Sequence, residues 1–196
     1  MRTWYFTTEG IEITEARPPL PAIYTIGHST RSADELIGLL SEAGVQVVAD
    51  VRRFPASRRH PQHNRAALER SLGAAGIAYR WLGEALGGRV AQSVPAERSH
   101  NAAWQVAAFR HYADAMTAPP FRAGIDTLEA LARSQPTAFM CAEHLWWSCH
   151  RRLIADYLTV RGWPVVHLLD VGKQDLHRLP EFARVVDGEL TYPALV

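Results

Sequence analysis

The chain is poor in cysteine and in lysine: Cys141 and Cys149 are its two cysteines, and Lys173 is its one lysine. Two cysteines are too few for the disulfide framework of a small secreted domain. No apolar run approaches the roughly 20 residues that a membrane-spanning helix needs, so no membrane partner is expected. Met1 to Gly10 hold neither a long apolar stretch nor a small-residue cleavage site, and the expectation is a cytoplasmic protein with reduced thiols. Excess charge of one sign is missing as well. Lysine plus arginine total 21 against 20 acidic residues, a formal net charge of +1, so no global field draws the protein to nucleic acid. An apolar share of 47% excludes disordered and collagen-like classes.

What is present is arginine. With 21 basic residues and one lysine, 20 are arginines, a bias that genome base composition can produce by itself. Their placement says more. Arg52, Arg53, Arg58, Arg59 and Arg65 fall in one short stretch with His60 and His63 and no acidic residue. The planar guanidinium fork suits phosphate or carboxylate, so a local anion site is expected here.

Residues 1–21 end in Arg17-Pro18-Pro19-Leu20-Pro21 and read as an N-terminal arm or edge strand. Residues 22–169 read as a single domain, with 170–196 as its C-terminal extension. Apolar runs at 23–27, 45–51, 77–82, 137–141 and 163–169 predict five buried strands. Between them lie helical patterns at 32–43 (with a Ser32/Glu35 capping box), 64–75, about 109–116, 121–133 and 149–161. A short helix near Pro180 and a turn at Asp187-Gly188 complete the tail. Alternating strands and helices imply an α/β fold, a Rossmann-like three-layer sandwich with a mainly parallel sheet of about five strands.

In such a sheet the carboxyl ends of the strands share one edge, where ligands bind. Four polar clusters follow those ends: Gly27 to Arg31, Asp50 to Pro55, Gly87 to Arg89, and Cys141 to Arg152. Their meeting in one crevice is the site expectation. Cys149, at an expected helix start beside His150 and Arg151, is the better nucleophile candidate. Cys141, at a strand end, reads equally well as an inert buried thiol. Adjacent residues diverge on a helix, so His150 need not touch Cys149. Glu143, Asp50 and His28 are the proton-transfer candidates. Asp50 could instead only pair with an arginine, and His28-Ser29-Thr30 could be a plain polar turn. Ser29, Arg31, Arg52, Arg53, Arg58, Arg59, Arg89 and Arg151 are the candidate substrate-binding residues. The C-x7-C-H spacing departs from the usual zinc patterns, so a metal-free site ranks ahead of a metal centre and no cofactor is specified.

The strings Thr25-Ile-Gly-His-Ser-Thr-Arg31, Asp50-Val-Arg-Arg-Phe-Pro55, Leu86-Gly-Gly-Arg89 and Cys141-Ala-Glu143 to Cys149-His-Arg151 resemble domain-of-unknown-function family 488 over residues 22–169. The commonest form of that family carries an Asp-Pro-like pair where Leu145-Trp146-Trp147 stands here. The resemblance implies a shared site containing His28, Asp50, Arg52, Cys141, Glu143, Cys149, His150 and Arg151, and it implies no reaction. Three functions follow from the residues. The first is a cysteine-dependent hydrolase or transferase on a phosphate-bearing substrate, a nucleotide or nucleic acid among them. The second is a nucleic-acid-binding module using loop 52–65, with Trp146 and Trp147 as stacking faces. The third is a metal or redox site at the two cysteines.

Overall fold

The computed structural model describes residues 19–194. The chain runs β1 (Ile23–Gly27), α1 (Ala33–Glu42), β2 (Val47–Asp50), α2 (Arg65–Ala74), β3 (Ala78–Trp81), α3 (Gly83–Leu86), α4 (Ala107–Ala115), α5 (Pro119–Ser134), β4 (Thr137–Cys141), α6 (Arg151–Val160), β5 (Val165–Asp170), β6 (Lys173–Leu176), β7 (Arg184–Val186) and β8 (Glu189–Thr191). Strands β1 to β6 form one sheet in the order β3-β2-β4-β1-β5-β6. The first five are parallel and β6 is antiparallel. Strands β7 and β8 make a separate hairpin.

Side chains alternate across a strand, and β4 shows the consequence. Ala138 and Met140 join a core with Leu36 and Leu40 of α1 and Leu68 and Leu72 of α2. Phe139 and Cys141 join the opposite core with Tyr112 of α4, Ile125 of α5 and Leu153 of α6. Two apolar layers on a buried parallel sheet make the three-layer α/β sandwich that the alternation of elements predicts. The Ser32/Glu35 capping box forms in both directions at the start of α1. Asp187 (φ 50°) and Gly188 (φ 79°) make the β7–β8 turn, whose two positive φ values match the twist of a hairpin.

Three expectations are corrected. Helix α6 begins at Arg151 and not at Cys149, which is extended at φ −128° and ψ 152°. A sixth strand joins the sheet. Its residues Lys173 to Leu176 are all exposed, so no apolar alternation announces it. Near Pro180 there is one hydrogen-bonded turn, Ala183 N to Pro180 O, in place of a helix. The expected N-terminal arm lies, through residue 18, outside the described residues. The extension from residue 170 packs on the domain. Leu190 and Tyr192 are buried in the core, and the Tyr192 hydroxyl donates to Asp156 at 2.7 Å.

Candidate active site

Strand order decides where a crevice opens. Strands β1 and β4 are neighbours, yet the chain leaves β1 toward β2 on one side and leaves β4 toward β5 on the other. The helices that follow, α1 and α6, therefore lie on opposite faces of the sheet, and the two strand ends stand side by side where the connections reverse direction. In register, Gly27 stands opposite Cys141 and Asp50 opposite Met140. The turn after β1 is fastened to the loop after β4 by His28 N to Cys141 O and Ser29 N to Ala142 O. Close approach matters at Gly27, where a β-carbon would collide with the Glu143 carbonyl oxygen.

A pocket of about 590 Å³ opens beside this edge, lined among others by Arg52, Arg53, Phe54, Gly88, Arg89, Phe109, Cys141, Glu143, Cys149 and His150. Both cysteines are free and buried. Because Cys149 precedes the helix in extended backbone, the expected divergence from His150 does not hold. His150 Nδ1 lies 3.5 Å from Cys149 Sγ and 3.8 Å from Cys141 Sγ. The other ring nitrogen, Nε2, donates to the Val51 carbonyl at 3.1 Å. A carbonyl only accepts, so Nε2 carries the hydrogen and, in the neutral ring, Nδ1 presents its lone pair to the sulfurs. Gly88 makes room for this ring, since a β-carbon there would sit 2.5 Å from His150 Nδ1. The hydrogen bond with Cys141 holds the Cys149 thiol well below its ordinary range against the opposing effect of burial, with His150 and Arg151 acting in the same direction. The same hydrogen bond, and then burial, push Cys141 up.

Arg52 is held by a buried network. Its Nε and Nη2 bond the Asp50 carboxylate, Nε at 2.9 Å and Nη2 at 2.5 Å, and its Nη1 donates to His28 Nε2 at 3.0 Å. Asp50 is fully buried and also accepts from the Arg52 backbone and from the Tyr79 hydroxyl at 2.7 Å. Burial and the Asp50 charge push the Tyr79 phenol up, which keeps it a donor. His28 Nδ1 donates to Ser29 O, so both His28 nitrogens are engaged. Burial first, then the Arg52 charge, lower His28 to about 3. His28 and Asp50 therefore position Arg52, and the proton-transfer roles expected of them do not fit their surroundings.

Other expected ligands of an anion are used differently. The Arg31 guanidinium caps the Gly27 and Leu169 carbonyls. Arg151 is buried and bonds Thr25 Oγ1 and the Glu143 and His144 carbonyls, fixing the loop after β4. Ser29 (φ 51°) forms the turn after β1. Arg58 and Arg59 are exposed on the loop and do not line the pocket. Arg52, Arg53, Arg89, Glu143, Cys141, Cys149 and His150 are the predicted residues brought to the pocket.

The family model described as Domain of unknown function DUF488 matches residues 32–158. The chain belongs to the DUF488 family. No curated protein and no solved structure matches it. The DUF488 span takes in the Asp50–Pro55, Leu86–Arg89 and Cys141–Arg151 strings and begins just after Arg31. The site draws on both sides of that border, since Gly27, His28 and Thr25 support it from outside.

Some contributors carry no sequence signal. The Val51 carbonyl that orients His150 is backbone. Tyr79 reaches Asp50 only because β3 pairs with β2. Phe109 reads as part of a helix's apolar face, and it also lines the pocket. Trp146, a candidate stacking platform, lies against His167 with ring centroids 4.1 Å apart and planes at 4°, while Trp147 is exposed.

Proposed function

We propose that this protein is an enzyme, a hydrolase or transferase, that takes a phosphate-bearing substrate into the pocket beside the β1–β4 crevice. The observation that carries the reading is that Arg52, Arg53 and Arg89 line the same pocket as Cys141, Cys149 and His150. Guanidinium groups supply charge-assisted, bidentate bonds to phosphate oxygens. Arg52 is immobilised by Asp50 and His28 and still has unused N–H groups on both terminal nitrogens. Arg53, bonded through Nη1 to the Glu84 carbonyl, and Arg89, over the Phe54 ring, add exposed charge at the rim. Glu143 is exposed and lines the pocket, which supports giving it the proton-transfer role in this reading. A volume of about 590 Å³ suits a substrate of nucleotide size, with Phe54 and Phe109 offering faces for an aromatic base. Two free thiols in a DUF488 chain fit a reducing, cytoplasmic setting.

Calorimetric titration with inorganic phosphate, adenosine monophosphate and unphosphorylated adenosine tests the reading. Binding of the two phosphates, and not of adenosine, is expected, and it should weaken about tenfold or more when Arg53 and Arg89 are both replaced by alanine. Equal affinity for adenosine, or an unchanged phosphate affinity in the double variant, would remove it. Turnover of a chromogenic phosphate mono- or diester, lost in Cys149→Ser, would establish the enzyme.

The exposed aromatics favour one second reading. Phe54 is 63% exposed with Arg89 5.8 Å from its ring centroid, and Trp147 is 44% exposed. Stacking faces beside arginines suit single-stranded nucleic acid. Steep salt dependence of oligonucleotide binding, without turnover of any phosphate ester, would favour this module over the enzyme.

A further inference from the structure

We infer that Cys141, Cys149 and His150 form a three-ligand centre for one zinc-class divalent cation whose fourth position opens into the pocket. The inference rests on the reading of that pocket as the reaction site and supplies its cofactor. Geometry carries it. The three donor atoms lie within 4.8 Å of one another. A tetrahedral zinc with Zn–S near 2.3 Å and Zn–N near 2.0–2.1 Å sets its sulfur and nitrogen ligands about 3.6 Å apart. The observed sulfur–nitrogen separations, 3.5 and 3.8 Å, bracket that value.

The outer contacts agree. A metal-bound histidine donates its other ring N–H to a carbonyl or carboxylate, which fixes the tautomer and ring orientation. His150 does this through Nε2 to Val51 O. Its Nδ1 can share one proton with two thiols, whereas a cation satisfies all three donors together. Two sulfurs and an imidazole suit zinc in ligand softness. Three protein ligands with an open fourth position are the arrangement of catalytic zinc. Since all three residues line the pocket with Arg52 and Arg89, the open position is where a water molecule or a phosphate oxygen would bind. Sequence spacing concealed this. Cys149 and His150 are adjacent in the chain, and they converge only because Cys149 stands outside the helix.

The test is metal uptake by the full-length protein. After loading with zinc and desalting, elemental analysis should find about one zinc per chain, and a thiol-blocking mercurial should release it to a colorimetric indicator. Cobalt loaded in its place should give thiolate-to-cobalt absorption in the near ultraviolet and the visible bands of a four-coordinate ion. Cys141→Ser and Cys149→Ser should each weaken cobalt binding about 100-fold or more. The mercurial release uses the unmodified chain, so misfolded variants cannot mask the answer. Natively folded protein that takes up no metal, a cobalt spectrum without thiolate bands, or zinc retained after both thiols are blocked would each overturn the inference. Added phosphate should shift the cobalt bands. An intact cobalt spectrum indifferent to phosphate would leave the metal centre standing and remove the phosphate-substrate reading. Phosphate binding by chains that take up no metal would do the reverse.

Discussion

The Arg52 guanidinium closes on the Asp50 carboxylate through both Nε and Nη2, with Asp50 0% and Arg52 6% exposed. Buried pairs are costly to break by halves, because the remaining charge is left uncompensated. Asp50→Ala is therefore expected to destabilise the fold by about 3–5 kcal/mol. Tyr79→Phe, which removes one bond to a charged group, should cost about 1.5–3 kcal/mol. Chemical denaturation measures both, and an Asp50→Ala loss below that of Tyr79→Phe would contradict the network.

Arg53 and Arg89 contrast with Arg52. They sit at the rim, so replacing either with alanine should leave stability within about 0.5 kcal/mol while phosphate affinity falls. Thermal melts and titration on the same preparations separate the two effects.

Two glycines should respond in opposite ways. Gly38, inside α1, has open space where a β-carbon would go. Gly38→Ala should stabilise by about 0.5–1 kcal/mol, because alanine costs less chain entropy in a helix. At Gly88 the same change pushes into the His150 ring and should disturb the Cys141–Cys149–His150 cluster, read as altered cobalt absorption and altered thiol reactivity. Identical behaviour of both variants would argue against a tightly fitted His150.

A buried histidine chain sets an acid limit. His167 is fully buried on β5, and its Nε2 lies 2.9 Å from His177 Nδ1. His177 Nε2 lies 2.7 Å from Asp156 of α6, and the Tyr192 hydroxyl donates to the same carboxylate. Arg151 of α6 adds a nearby positive charge, and Trp146 covers the ring. Burial, then His177 and Arg151, lower His167 to about 2. The native pKa is below the unfolded value of 6.5, so the unfolded chain binds the proton first. Stability is thus full above pH 6.5 and falls as pH drops below it, approaching about 1.4 kcal/mol per pH unit. Denaturation at pH 6.5 and pH 5 should show the loss; His28, lowered to about 3 by burial and then Arg52, adds to it, so His167→Gln should reduce the slope without abolishing it. An equal slope in the variant would assign the acid sensitivity elsewhere.

Five parallel strands and their helices were legible because each carries an apolar run or a 3.6-residue stripe. Strand β6 was not, since Lys173-Gln-Asp-Leu176 buries nothing and is held by pairing alone. The crest of the site was legible as well, because parallel strands must bring Gly27, Asp50 and Cys141 to one edge. What each charged group does there was not. Arg31 and Arg151 look like Arg52 in sequence, yet they satisfy strand-end and loop carbonyls, contacts that arise only from tertiary placement. Adjacent Cys149 and His150 diverge if both are helical, and a two-residue shift of the helix start, from Cys149 to Arg151, reverses their relation.

The sheet order has a practical consequence for anyone trimming the gene. A fragment limited to the family match at 32–158 would delete β1 and β5 and keep β3, β2 and β4. Strand β4, buried at every position in the whole chain, would become a bare apolar margin with unpaired backbone, the kind of surface that recruits other chains. Such a fragment is expected to aggregate when expressed. The family match is thus shorter than the sheet it belongs to.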